Sequence, residues 1–220
     1  MYLSRLMLDT ERRSTMRALA SPQVLHAAVE RSFIGERQRN LWRVDLLGDK
    51  CYLLILSTER PDFFNAEEQF GYQGSEKSWD IKEYDPLLAR LQPGQVWRFR
   101  LRANPVRSSS KEKDKLSGRG KVFAHVTYEQ QKLWLLTRSE ECGLSVNVDS
   151  FDIVQTEWMK FQKSQNANHN VSIHAVTYEG ILTIMDLERF KHSLTSGIGR
   201  AKAYGCGLLT IARNGGHNDG

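Results

Sequence analysis

Apolar and other residues alternate through Tyr2 to Leu8 (YLSRLML), which predicts a short strand, and a helix-compatible region follows from about Ser14 to Phe33. Ser21 before Pro22 is an N-cap and first-turn pair, so the helix can restart there. Beyond it Val24, Leu25, Ala28, Val29 and Phe33 recur at helical spacing and form one apolar stripe. Two strands are predicted next, Leu41 to Leu47 (LWRVDLL) and Cys51 to Ser57 (CYLLILS), at the spacing of a hairpin. Arg60 to Lys82 is polar and aromatic with no clear period, and Asp85 to Leu91 reads as a short helix ahead of Pro93 and Gly94. Val96 to Ala103 (VWRFRLRA) then alternates cleanly, with Trp97, Phe99 and Leu101 on one face and Arg98, Arg100 and Arg102 on the other. Strand, helix, strand, strand, helix, strand is the split-βαβ, ferredoxin-like order.

Asn104 and Pro105 end that strand, and residues 105–126 read as a linker. A helix is expected from about Thr127 to Cys142, with strand-like pieces around Leu144 to Val154. A polar hairpin or loop covers Lys160 to Asn170, and strand character returns over Val171 to Ile184 with a break near Gly180. Leu187, Phe190 and Leu194 then sit at helical spacing within Asp186 to Ser196, and Leu208 to Ala212 closes as a strand. The expected architecture is α+β, with two ferredoxin-like domains in tandem. They occupy residues 1–104 and 127–213, joined by the linker and followed by a disordered tail over 214–220.

Charge adds one feature to this pattern. Of a net charge of +5, the segment Arg107 to Lys121 (RSSSKEKDKLSGRGK) carries six cations against two acids, a local balance of +4. Such a segment suits an anionic partner such as a nucleic-acid backbone, and it suits a solubilising loop equally well. No apolar run approaches the roughly 20 residues that cross a bilayer, and MYLSRLMLDTERR is too short in apolar residues for a secretory signal, so the cytoplasm is the expected compartment. Cys51, Cys142 and Cys206 are far apart and form no CxxC pair, which suggests isolated buried thiols rather than disulfides or a zinc site.

Three groups of residues are candidates for chemistry. Glycines at 197, 199, 205 and 207 in GIGRAKAYGCGLL match neither the GxGxxG fingerprint nor a P-loop. Gly197 can cap a helix, and the run fits either a tight helix-to-strand connection or a cradle in which Arg200 and Lys202 meet phosphates. His26 falls about 110° from the centre of the apolar stripe, at its edge, where an imidazole could serve structure or move a proton to or from a ribose oxygen. The arginine face of Val96 to Ala103 fits a charged solvated surface or phosphate contact. No histidine spacing or carboxylate cluster suggests a metal site, and the aromatic octamer by which RRM sheets stack bases is absent.

Taken together, MYLSRLML, PQVLH at Pro22 to His26, RFRLRANP at Arg98 to Pro105, and GIGRAKAYGCGLL resemble the CasE family, the repeat-processing CRISPR endoribonucleases of the type I-E Cascade complex. The resemblance spans nearly the whole chain. It implies two ferredoxin-like domains that hold a CRISPR repeat hairpin and cut it at its base with no metal or other cofactor, leaving a 2′,3′-cyclic phosphate and a 5′-hydroxyl. His26 matches the family's catalytic histidine, and Arg31 occupies the place of a cation that stabilises the phosphorane, although on an ideal helix it lies about 140° from His26. Members with tyrosine three residues before that histidine are familiar, whereas this chain has Gln23. The expected RNA contacts are Arg98, Arg100, Arg102, Arg107, Lys111, Gly197, Gly199, Arg200 and Lys202, and the expected partners are the repeat hairpin and other Cascade subunits. A non-catalytic RNA-hairpin-binding subunit and a DNA-binding module are the alternatives.

Overall fold

In the computed structural model, which describes residues 1–35, 38–74, 77–113, 120–162 and 170–213 and side chains for all of these but 110–113, 162 and 170, the alternating start forms β1 (Tyr2–Leu8). Two helices follow, α1 (Arg13–Leu19) and α2 (Pro22–Arg31), divided where Ser21 takes extended backbone at the N-cap and Pro22 opens the first turn. The hairpin of β2 (Leu41–Leu47) and β3 (Lys50–Ser57) leads to α3 (Phe64–Phe70) and β4 (Trp79–Glu83). These strands form an antiparallel sheet in the order β2-β3-β1-β4, the ferredoxin-like arrangement. Leu6, Leu53 and Ile55 point from the sheet onto Ala18, Leu25, Ala28 and Val29, and each fully buried leucine or isoleucine contributes roughly 1.5–3 kcal/mol.

A short α4 (Asp85–Arg90) connects to β5 (Val96–Ala103), a hairpin of β6 (Val106–Lys113) and β7 (Gly120–Ala124), and α5 (Tyr128–Glu141). Then come β8 (Leu144–Ser145), β9 (Phe151–Gln162), β10 (Asn170–Ile184), α6 (Leu187–Ser196), a single 3₁₀ turn at Lys202–Tyr204, and β11 (Leu209–Arg213). The second sheet runs β11-β5-β10, with both β8 and β9 paired to the far side of β10. Thr127 caps α5 by accepting from the Gln130 amide, and Asp186 caps α6 by accepting from Arg189. No helix among the described residues is long and apolar enough to cross a membrane.

Three expectations change. The strand at Val96 to Ala103 does not close the first sheet; it pairs with β10 and β11 and begins the second. The first sheet is instead closed by β4, in the segment that showed no period, because register with β1 from Tyr2↔Glu83 to Leu6↔Trp79 supplies what the sequence pattern lacks. A boundary at residue 104 therefore falls after the second unit's opening strand. The expected linker contains the paired strands β6 and β7, with Val106↔Ala124 and Arg107↔Phe123 in register, so the described ends of the basic segment lie on a ribbon inserted between β5 and α5. Finally, β10 runs unbroken through Gly180. The tail over 214–220 and much of the polar stretch before Asn170 lie outside the described residues.

Candidate active site

His26 sits half-buried on α2, at the edge of the stripe whose Leu25, Ala28 and Val29 enter the core. It opens onto a cleft of about 310 Å³ lined also by Glu30, Gln38, Arg39, Asn40 and Ala203. Ala203 belongs to the glycine run, so the second unit closes a cleft that begins on the first. The neighbouring Tyr204 ring meets the imidazole edge-on, with centroids 6.4 Å apart and planes at 62°. Arg31, by contrast, is exposed at the last turn of α2, and the cation among the cleft's described lining residues is Arg39. Sequence reading missed Arg39 because it lies in a polar stretch between elements, where no periodicity assigns a direction. Gln23 is half-buried three residues before His26 on the same helix.

The glycine run earns its composition by close packing. Gly197 ends α6 with φ 74°, and a Cβ there would come within 2.7 Å of Leu41 Cδ2. Gly205 has φ 77°, and its Cβ would lie 2.9 Å from the Trp42 ring. The run is thus pressed against β2 of the first unit, which brings Ala203 and Tyr204 to His26. Its two cations diverge. Lys202 turns inward, its Nζ donating to the Ser196 carbonyl at 2.5 Å, and burial followed by repulsion from Arg39 lowers its pKa. Arg200 is exposed and donates from Nη2 to Ser108 Oγ on β6 at 3.3 Å, joining the glycine run to the basic ribbon. Of the two, Arg200 is the one left at the surface, where it could meet an anionic partner, and Lys202 is turned away from such a contact.

The arginine face of β5 also differs from the expectation of a bare phosphate-binding row. Arg100 pairs with Asp45 of β2 at 3.2 Å and with Glu179 of β10, and Arg102 pairs with Glu157 of β9 at 2.6 Å. Acids from distant strands neutralise both, a pairing invisible within the strand's own sequence. Arg98 is exposed, and so is Arg107, whose guanidinium lies 5.5 Å from the Phe123 ring centre. Lys111 falls in β6, but its side chain is outside the described residues; Gly199 is exposed beside Arg200.

Behind this surface lies a group that the sequence reading passed over. Arg43 of β2 is only 1% exposed, yet all five guanidinium N–H groups have acceptors. Nε and Nη2 donate to the two Asp45 oxygens at 2.7 and 2.6 Å, and Nη2 also donates to Thr210 Oγ1 at 2.8 Å. Nη1 reaches the carbonyls of Arg100 and Leu208 at 2.9 and 2.8 Å. Burial pulls the Arg43 pKa down while Asp45 opposes the shift. One side chain of the first sheet thereby holds two strands of the second. All three cysteines are free and buried, and burial raises the Cys206 thiol to about 11, which keeps it protonated. Among the described residues no three or more His, Cys, Asp or Glu side chains are grouped as metal ligands.

Comparison with known proteins follows the same lines. The profile of the family described as "CRISPR associated protein" matches residues 1–213. The chain is 31% identical to a Thermus thermophilus protein named CRISPR-associated endoribonuclease Cse3, over 96% of this chain and 100% of the relative. It is 29% identical to an Escherichia coli protein named CRISPR system Cascade subunit CasE, over 56% of this chain and 61% of the relative. Among solved structures, Thermus thermophilus Cse3 bound to an RNA representing a pre-cleavage complex superposes with a TM-score of 0.75 at 27% identity, covering 96% of this chain and 98% of that one.

Proposed function

This chain belongs to the CasE/Cse3 family of CRISPR-associated proteins, and we propose that it is a metal-independent endoribonuclease that binds the hairpin of a CRISPR repeat transcript and cuts it. The observation that carries the reading is His26 opening onto a cleft shared with Arg39 and with Ala203 of the glycine run. In the reaction a ribose 2′-oxygen attacks the adjacent phosphorus, the new P–O2′ bond forms, and the P–O5′ bond breaks. The 2′-hydroxyl gives up a proton and the departing 5′-oxygen takes one. His26 carries one of these protons, which is worth about 10²–10⁴-fold. Arg39, in place of Arg31, supplies positive charge to the phosphorane. A side-chain amide does not titrate near neutral pH, so Gln23 offers hydrogen bonds rather than general acid–base catalysis.

Exposed Arg98, Arg107 and Arg200 fit contacts with the RNA backbone, while Arg100 and Arg102 hold the fold. The E. coli relative's name as a Cascade subunit supports other Cascade subunits as partners, and transcripts as substrate imply action in the cytoplasm. The test is incubation with a labelled repeat hairpin in EDTA. The expected product ends in a 2′,3′-cyclic phosphate, with a 5′-hydroxyl on the other fragment. A strict requirement for Mg²⁺ would overturn the mechanism, and tight binding without cleavage would favour a non-catalytic hairpin-binding subunit.

A further inference from the structure

The ring of Tyr204, an aromatic group of the other unit, meets the His26 imidazole. Its backbone is fixed on both sides by left-handed residues, Ala201 at φ 64° and Gly205 at φ 77°. A non-glycine residue rarely adopts that conformation, so the Ala201 turn persists because its surroundings over-determine it. Tyr204 is further braced by Phe161 of β9, with ring centres 4.7 Å apart, and it packs against the small cluster of Met159, Ile173, Ala175 and Cys206. Gly205 beside it is seated on Trp42 of β2. The phenol ring is therefore held by the second unit, while the imidazole it meets is carried by α2 of the first.

We propose that Tyr204 is a positioning residue for the cleavage reaction: its ring, set by the left-handed turn and Phe161, fixes the plane of the His26 imidazole toward the cleft. A histidine at the edge of an apolar stripe has rotamers that point to solvent as well as rotamers that point into the cleft. An edge-on aromatic neighbour favours one of them, because the electropositive edge of one ring meets the electronegative face of the other. The contact asks nothing of the phenolic oxygen, so shape and ring electronics carry the effect. It also explains why a turn of this strain is maintained at this point, where an ordinary helix-to-strand connection would not need it.

The inference rests on the reading of His26 as the proton-transfer group, and the experiment separates the two. Repeat-hairpin affinity and single-turnover cleavage rate are measured for the wild type, Tyr204→Ala, Tyr204→Phe and His26→Ala. Tyr204→Ala is expected to lower the cleavage rate by roughly 10- to 100-fold, the scale of a misplaced catalytic group, with affinity changed less than about threefold. Tyr204→Phe should retain the wild-type rate within about threefold. Wild-type cleavage by Tyr204→Ala, beside an inactive His26→Ala, overturns the positioning role and leaves the catalytic histidine standing. Loss of rate in Tyr204→Phe equal to that in Tyr204→Ala overturns it too, by making the hydroxyl the active part. Parallel loss of affinity and rate in Tyr204→Ala would mark a merely structural ring and likewise overturn it. Normal cleavage by His26→Ala would instead remove the premise.

Discussion

His26→Ala should lower the single-turnover rate of repeat-hairpin cleavage by about 10²–10⁴-fold, the contribution of general acid–base catalysis, while hairpin affinity stays within a few-fold of wild type. The separation follows from where the side chain sits. Among the described residues that line the cleft His26 is the one imidazole, whereas the exposed cations fitted to RNA, Arg98, Arg107 and Arg200, lie on other elements. Truncating His26 removes a proton carrier without removing positive charge from those elements. His26 is also only half-buried, so little core packing is lost. A gel-shift titration beside single-turnover kinetics checks both halves of the expectation, and undiminished cutting by the variant would end the catalytic assignment.

Arg43→Met should lower stability by up to about 3–5 kcal/mol, because the buried Asp45 carboxylate loses its bidentate partner and keeps only Arg100, at 3.2 Å. The carbonyls of Arg100 and Leu208 and the hydroxyl of Thr210 lose a donor at the same time. For a chain of this length each kcal/mol moves the melting midpoint by about 2–4 °C, so a fall on the order of 6–20 °C is expected in a thermal melt. Adding Asp45→Leu to Arg43→Met should recover part of the loss, since it removes the buried carboxylate that has lost its bidentate partner, while Arg100 keeps Glu179. A double variant no more stable than the single one would show that the carboxylate is not the source of the penalty.

The helices α2 and α6 were legible in the sequence because each buries one stripe: Leu25, Ala28 and Val29 on α2, and Phe190 and Leu194 on α6, alternate with polar residues at the helical period, whereas α3 was not, because it lies in the stretch from Arg60 to Lys82 that shows no period. The hairpin of β2 and β3 was legible for the same reason at period two. β4 was not, since WDIKE is short and only partly buried, and its place is decided by hydrogen bonding to β1 rather than by its own pattern. The strong alternation of β5 then filled the vacancy in the sequence reading. Its arginines were ambiguous in a related way. A charged strand face looks alike whether it meets phosphate or carboxylates, and the carboxylates on Asp45, Glu157 and Glu179 are supplied by other strands. His26 could be placed at the rim of a groove by helix geometry alone, but Arg39, Ala203 and Tyr204 reach it only through the packing of the glycine run on β2.

The Arg43 clamp ties residues that leave the ribosome far apart in time. Arg43 and Leu208 are separated by 165 residues, so at roughly 5–20 residues per second the acceptor carbonyl is made about 8–33 s after the guanidinium that it will bind. During that interval the first sheet stands with its arginine and aspartate still hydrated, and α2 already carries His26. The glycine run and the strand that fastens it are translated long after α2. A nascent chain that stops before the glycine run therefore presents the histidine without the wall that completes its cleft, and RNA cleavage is expected only once that run has been added.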